Sequence, residues 1–420
     1  MAAGRWYSVG FRGRAAVLFG GLGLWMTGCS PISGLLQEVF VAEWWLDRPE
    51  LYGFLGELEG VRKNQRGFRV DAVLTTNFAA RVAFTPRGDL LYVAKDSGQL
   101  RAVYAGGAEL AVPLVDENVN FFFHRGMVGL AVDPQFAQNG YVYLFFTTTG
   151  FGADNDTQAD PEGQYTLARY TLDRETLFVE PGSRTLLWQA PLGGDNHPGG
   201  AIAFLLDGTV VFSMGDAQIY LLESQDPASP YGKIHRINKD GSIPADNPFG
   251  PGLSTYALGL RDAFGLAVDP RTGALFASEN GTTGHDELNR IVPGGNYGWP
   301  HVEGIADEPD EIAWQNAHPQ HIAPLVEYGP ISPSLTGMVF NHGDRLGARY
   351  DGALLIAQWN FGAVNAVFFN ADQTRVERIE LMVNGFGAVF GLSDVALHPL
   401  DGAMWVVDNP VYIYRIAPQE

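Results

Sequence analysis

Three stretches of this chain combine residue types that could do redox or proton chemistry. The first is Asp195-Asn-His-Pro-Gly-Gly200, directly before an apolar run that begins at Ala201. His197 stands there among residues that tolerate unusual backbone angles. An imidazole titrates near neutral pH, so it can accept a proton from a substrate hydroxyl. The second is Gly259-Leu-Arg-Asp-Ala-Phe-Gly265. Arg261 offers a planar fork of five donors suited to a carboxylate or a quinone oxygen. The third is Ser278-Glu-Asn-Gly-Thr-Thr-Gly-His-Asp-Glu-Leu-Asn289, followed by Gly294-Gly-Asn-Tyr-Gly-Trp-Pro300. Glu279, Asp286 and Glu287 crowd a glycine-rich loop there. Carboxylates beside free backbone carbonyls suit Ca²⁺, although the spacing is not that of an EF-hand. Each stretch also has a plainer reading: a surface or hydrogen-bonded structural histidine, a salt bridge of Arg261 to Asp262 or another acid, and a solvated acidic turn.

Something must hold these segments together. A repeat runs through most of the chain: a short apolar strand, a Pro/Asp/Gly turn, and a second apolar or aromatic strand. The copies start at Arg81, Gly129, Ala201, Gly265, Gly337 and Ser393. Phe68 to Ile416 spans 349 residues, which gives about 58 per copy. Segments such as Gln99-LRAV and Gly232-KIHRI supply further strands. A lone hairpin cannot bury its apolar faces, whereas four-stranded units packed radially can, and they leave only short edges. The expectation is an all-β, six-bladed β-propeller over residues 68–420. A β-sandwich explains the regular spacing poorly, and solenoid repeats are usually shorter. In a propeller the blade-connecting loops gather at one end of a central channel, where the three stretches would meet.

The composition agrees. Of 420 residues, 46% are hydrophobic, 12% aromatic and 18% charged, with 52 Gly and 25 Pro. Many turns and many aromatics suit short strands. The formal net charge of −20 argues against a nucleic-acid partner. The chain has no P-loop, no G-x-S-x-G elbow and no zinc-type histidine pairing. Its one cysteine, Cys29, rules out an intrachain disulfide. Cys29 follows a positive start (Arg5, Arg12, Arg14), a short apolar core from Ala15 to Trp25, and Met26-Thr-Gly. That layout is a secretory signal over residues 1–28 with the look of a bacterial lipobox. The expectation is an extracytoplasmic protein held to a membrane only through lipid on Cys29. Residues 29–67, including the apolar run from Leu35 to Trp45, are expected to form a linker or strap.

The three stretches, in this order, resemble the soluble quinoprotein aldose sugar and L-sorbosone dehydrogenases. The most specific piece is GLRDAFGLAVDPRTGALFASENG at 259–281 with DELNRIVPGGNYGWP at 286–300. RGMVGLAVDPQFAQNGYVYLFFT at 125–147 and YGKIHRINKDGSIPADNPF at 231–249 add to it. The resemblance covers about Phe68 to Ile416. It implies a six-bladed propeller using pyrroloquinoline quinone (PQQ) and Ca²⁺ to oxidise an aldose or related sugar, with electrons passed to an external acceptor. It implies His197 as the general base and Arg261 as the arginine on the quinone. It implies Gly281 and Thr282 as carbonyl ligands of the cofactor's Ca²⁺, and Glu287 and Tyr297 as ligands of a second, structural Ca²⁺.

The resemblance also has departures. Asp262 stands where the family usually has Asn, and His124 aligns with a cofactor-contacting Gln. Thr282 replaces the proline of a glycine-proline calcium turn. The glucose enzymes carry two arginines in the last blade, but Gly391-Leu-Ser-Asp-Val395 has none. Their neighbouring lysine has no counterpart around Trp359-Asn-Phe-Gly362. Each missing cation costs a carboxylate ligand about 1.5–3 kcal/mol. Two alternatives therefore stand beside the oxidoreductase: a non-catalytic surface propeller that has lost the cofactor, and a calcium-dependent sugar lactonase.

Overall fold

The computed structural model describes residues 67–387 and 390–419. The expected signal segment, Cys29 and the strap up to residue 66 lie outside the described residues. Six four-stranded antiparallel sheets form the molecule. Blade 1 is β2 (Ala79–Phe84), β3 (Leu90–Ala94), β4 (Gln99–Val103) and β5 (Val115–Asp116). Blade 2 is β6 (Met127–Val132), β7 (Tyr141–Thr147), β8 (Gln164–Thr171) and β9 (Thr185–Pro191). Blade 3 is β10 (Ile202–Phe204), β11 (Val210–Met214), β12 (Lys233–Ile237) and β13 (Thr255–Leu258). Blade 4 is β14 (Ala263–Val268), β15 (Leu275–Glu279), β16 (Glu287–Ile291) and β17 (Val326–Glu327). Blade 5 is β18 (Leu335–Phe340), β19 (Leu354–Gln358), β20 (Ala363–Phe369) and β21 (Val376–Asn384). Blade 6 is β22 (Leu392–Leu397), β23 (Met404–Asp408), β24 (Tyr412–Pro418) and β1 (Phe68–Thr75).

β1 closes the ring. It pairs antiparallel with β24, from Phe68 opposite Pro418 to Thr75 opposite Tyr412. The first and last strands among the described residues thus share one sheet, which closes the ring. The six repeats are the first two strands of the six blades. Their turns are held by carboxylates: Asp133, Asp207, Asp269 and Asp401 each accept the backbone N–H two residues on, at 2.8–2.9 Å. Second strands are the driest element; every residue of β3, β11, β15, β19 and β23 is buried. Blades pack face to face through side chains such as Phe276, Leu335, Phe340 and Ile356 between blades 4 and 5. Each such burial contributes about 1.5–3 kcal/mol.

First strands ring the central channel. Glycine lets them approach: a Cβ on Gly265 would lie 2.3 Å from the Thr336 carbonyl oxygen, and one on Gly337 1.9 Å from Asp394 Oδ1. Arg81 on β2 crosses the axis. It donates to the carbonyls of Val128 and Phe264 and to Asp394 Oδ1 at 3.3 Å, joining blades 1, 2, 4 and 6. Beyond this plug, Phe84, Leu130, Leu266, Val339 and Leu397 help line a cavity of about 290 Å³. At the opposite end, where the first strands begin, is the channel mouth. Two short α-helices occur among the described residues: α1 (Phe136–Asn139) and α2 (Pro309–Ala317). No helix among those residues is long and apolar enough to cross a membrane.

Candidate active site

Each blade presents two backbone positions to the mouth: the residues leading into its first strand and those leaving its second. The antiparallel register puts them side by side, as in Ala79 opposite Ala94 and Leu335 opposite Gln358. Several residues leading in are forced into the left-handed region, with φ of 56° at Phe78, 55° at Phe123, 56° at His197 and 50° at Ser334. For a residue with a side chain that costs about 1–2 kcal/mol.

His197 is buried, and its Nδ1 lies 2.7 Å from Oδ1 of Asp216, which is wholly inaccessible. Asp216 is an acceptor throughout. Its Oδ1 also takes the Gln218 N–H at 2.7 Å, and its Oδ2 the indole N–H of Trp299 at 3.0 Å. Nδ1 must therefore carry the proton, which leaves the Nε2 lone pair free to accept one. Arg261 stands beside this pair. The Asp216 N–H donates to the Arg261 carbonyl at 2.8 Å, and a Cβ on Gly215 would touch the carbonyl oxygens of both His197 and Arg261. The Arg261 guanidinium lies 5.5 Å from the Trp299 ring centroid. Its Nη1 donates to the carbonyls of Asn280 at 2.7 Å and Gly281 at 2.9 Å. The structure thus brings His197, Arg261 and Gly281 together from two blades.

The other expected residues lie around this centre. His124 is at the solvent-facing rim, its backbone N–H on the Asp195 carbonyl at 3.2 Å. Surrounding protein holds its imidazole below the ordinary range, with the opposing charge of Asp262 a smaller effect. Asp262 is buried, and its Oδ1 has no hydrogen-bond partner among the described residues; it makes no ion pair with Arg261. Thr282 is exposed, and both its N–H and its hydroxyl donate to Glu303. Tyr297 is buried; its phenol donates to the Arg290 carbonyl at 2.7 Å and accepts the Val292 N–H at 3.0 Å.

Glu287 begins β16 and is buried across from Glu279, its partner in register. Asn289 Nδ2 donates to both carboxylates, at 2.7 Å to Glu287 and 3.2 Å to Glu279. Burial pushes both acids up, and for Glu279 the charge of Glu287 adds to it. Two acids sharing one dry site hold one charge too many, a conflict that a cation removes. Beside them is a hollow of about 10 Å³, lined by Arg261, Glu279, Gly281, Glu287, Tyr297 and Glu303, room for one ion-sized sphere. Among the described residues no three His, Cys, Asp or Glu side chains close on a common point. The donor set for a hard cation is therefore two carboxylates plus carbonyls, and the Gly281 carbonyl is already taken by Arg261.

Three participants escaped the sequence reading. Asp216, Trp299 and Lys95 contribute to the mouth, and two of them leave second strands: Asp216 follows β11 and Lys95 follows β3. The shared signal is position: both stand within two residues of the end of a blade's second strand, as Glu279 and Asn280 do in blade 4. The far side of the mouth is aromatic. Trp359 and Phe390 stack at 6.2 Å, and Phe390 lies 5.9 Å from Phe78. These side chains occupy the region where the sequence lacks cations.

A histidine held in one tautomer, a guanidinium beside it and an acid-lined ion-sized hollow thus meet at the mouth of a six-bladed propeller. The chain belongs to the glucose/sorbosone dehydrogenase family, whose model matches residues 77–411. It is 33% identical over 241 residues to quinoprotein glucose dehydrogenase B of Acinetobacter calcoaceticus, covering 53% of this chain and 48% of that one. It is 30% identical over 278 residues to the aldose sugar dehydrogenase YliI of Escherichia coli, covering 63% and 70%. An uncharacterized Synechocystis protein is 34% identical over 295 residues, covering 63% of this chain and 66% of the relative. Among solved structures, a putative oxidoreductase (glucose dehydrogenase) of Thermus thermophilus matches with a TM-score of 0.68 at 28% identity, covering 83% of this chain and all of that one. The PQQ-bound aldose sugar dehydrogenase of Streptomyces coelicolor matches in fold, with a TM-score of 0.66 at 24% identity over 83% and 98%.

Proposed function

We propose that this protein is a PQQ-dependent sugar dehydrogenase that oxidises the C1 hydroxyl of an aldose or related sugar. The observation that carries the reading is the His197–Asp216 pair beside Arg261, with Trp299 donating to the same aspartate. Family membership and the quinoprotein relatives support it. PQQ, when bound, supplies a two-electron acceptor, and Ca²⁺ a Lewis acid.

The chain's own residues do the rest. Oxidation at C1 removes a hydride and the hydroxyl proton, converting the hemiacetal to a lactone. His197 Nε2 takes that proton as general base. Asp216 holds the ring in the right tautomer and stabilises the imidazolium that forms, as the aspartate of a serine-protease triad does. Arg261 has Nε and Nη2 without partners among the described residues, and these would face negative charge gathering on a quinone oxygen. The unpartnered Oδ1 atoms of Asp262 and Asn280 border the same region, as expected of a site built to receive a polar ligand. The carbonyls of Thr282 and of Gly281, which Arg261 also meets, would hold the cofactor's Ca²⁺, and Glu287 with the Tyr297 carbonyl, beside Glu279, a second, structural one. Electrons then pass to an external acceptor. The N-terminal layout supports an extracytoplasmic, lipid-anchored location through Cys29.

Reconstitution with PQQ and Ca²⁺, followed by dye reduction with a panel of sugars, tests this. Sugar-dependent turnover is the expected result. Failure to bind PQQ at micromolar concentration overturns it and favours the cofactor-free propeller, the reading that the lack of arginine in Gly391-Leu-Ser-Asp-Val395 supports. A lactonase reading gains little: Asp394, the acid on the channel axis, is committed to Arg81 and the Val82 N–H.

A further inference from the structure

The cations near the mouth differ in how much donor capacity they have left. Arg125 is buried and directs its guanidinium to the carbonyls of Gln158, Gly193 and Gly194 at 2.9–3.0 Å. Lys233 is fully buried, with all three ammonium hydrogens on the carbonyls of Glu223, Ser224 and Tyr231. Both have structural work only. Lys95 is different. Its ammonium meets Asp96 Oδ1 at 2.7 Å and the Phe121 carbonyl at 3.3 Å, which leaves one hydrogen unassigned.

Its position is also distinctive. Lys95 leaves β3 at the mouth, and its ammonium lies 5.2 Å from the Phe78 ring centroid. It thereby lies on the aromatic side, joined through Phe78 to Phe390 and Trp359. Through Phe121 it also reaches the loop that carries His124, and its charge is felt at that imidazole. The side chain is only 11% exposed, so its ammonium is poorly hydrated. Asp96, its present partner, is 42% exposed. An ion pair with one solvated member is weak, and a bound anion can displace it.

We propose that Lys95 is the carboxylate-binding cation of this site, placed by blade 1 opposite Arg261 so that an acid group of the cofactor pairs with it over the aromatic wall. The assignment rests on the PQQ reading above. It gives the anionic quinone a cationic partner from the first blade, where Gly391-Leu-Ser-Asp-Val395 of the last blade has none.

The test is a PQQ titration of the full-length protein in Ca²⁺-containing buffer, read by quenching of tryptophan fluorescence, with thermal midpoints recorded for every variant. Lys95→Met should weaken binding about tenfold, the worth of one charge-assisted hydrogen bond, and flatten the salt dependence. Lys95→Arg should restore most of the affinity. Asp96→Asn removes the competing acid and should tighten binding about threefold. Wild-type affinity in Lys95→Met, within twofold, overturns the assignment and leaves the PQQ reading standing. No binding by the wild-type protein overturns both. Should Lys95→Met fail to fold, Asp96→Asn decides: unchanged or weaker binding rejects the role of Lys95.

Discussion

The channel mouth has two unlike halves built on the same backbone. Blades 2 to 4 supply a polar half: His124, His197, Asp216 and Arg261. Blades 5, 6 and 1 supply an aromatic half: Trp359, Phe390 and Phe78, with Lys95 at its edge. Equivalent positions are used differently. The segment leaving the second strand provides Asp216 in blade 3, Asn280 in blade 4 and Trp359 in blade 5. The propeller thus fixes where side chains point, and the side chain chosen at each point decides whether a blade does chemistry or holds a ring. The polar half should govern turnover and the aromatic half affinity.

Breaking the polar half gives the largest expected effect. His197→Ala should lower turnover about a thousandfold, the middle of the range for a lost general base, while PQQ affinity stays within about threefold. Stopped-flow reduction and a binding titration separate the two quantities. Asp216→Asn keeps the shape but can donate to Nδ1, favouring the wrong tautomer; turnover should fall about a hundredfold, the lower end of what general-base catalysis contributes. On the aromatic half, Trp359→Ala should weaken PQQ binding about fivefold, as for one lost aromatic contact, with turnover at saturation preserved. If Trp359→Ala instead abolishes turnover with affinity intact, the division of labour is wrong.

Two further measurements sharpen the comparison. Calcium should raise the thermal midpoint by a few degrees, as a ligand confined to the folded state does, and Glu287→Gln should remove that increment. His235 is the internal control, a histidine in the same blade but away from the mouth. It is packed at 5.0 Å from the ring centroids of both Trp188 and Phe212, and bonds Ser254 Oγ and the Pro230 carbonyl at 2.9 Å. Burial pushes its pKa down to about 3 from an ordinary 6.5. Between those values the unfolded chain binds a proton that the folded chain refuses, so stability falls as pH drops from 6.5 towards 3. His235→Gln should flatten that slope in urea titrations, and its turnover at neutral pH should match wild type.

Much of the fold was legible in the sequence because its unit is local. The Asp-Pro turns at Asp133 and Asp269 and the apolar runs beside them mark hairpins that form from neighbouring residues. His197, Arg261 and Glu287 stood out as candidates because each sits in a short stretch rich in chemistry. Asp216 and Lys95 were harder. Met214-Gly-Asp216 and Ala94-Lys95 carry no local mark of function, and only the shared register of the blades shows that they reach the mouth. The Arg81–Asp394 pair, 313 residues apart, had no sequence signal at all.

By itself, then, the sequence determined the repeating hairpins, their number, and the residues able to take a proton or meet a charge. Periodicity and turn chemistry act over a few residues, so they are written in order along the chain. Tertiary structure alone decided which acid orients His197, which cation faces the aromatic wall, and that β1 closes the ring on β24. Those outcomes depend on contacts between segments far apart in the chain, and such contacts exist only once six sheets have packed around one axis.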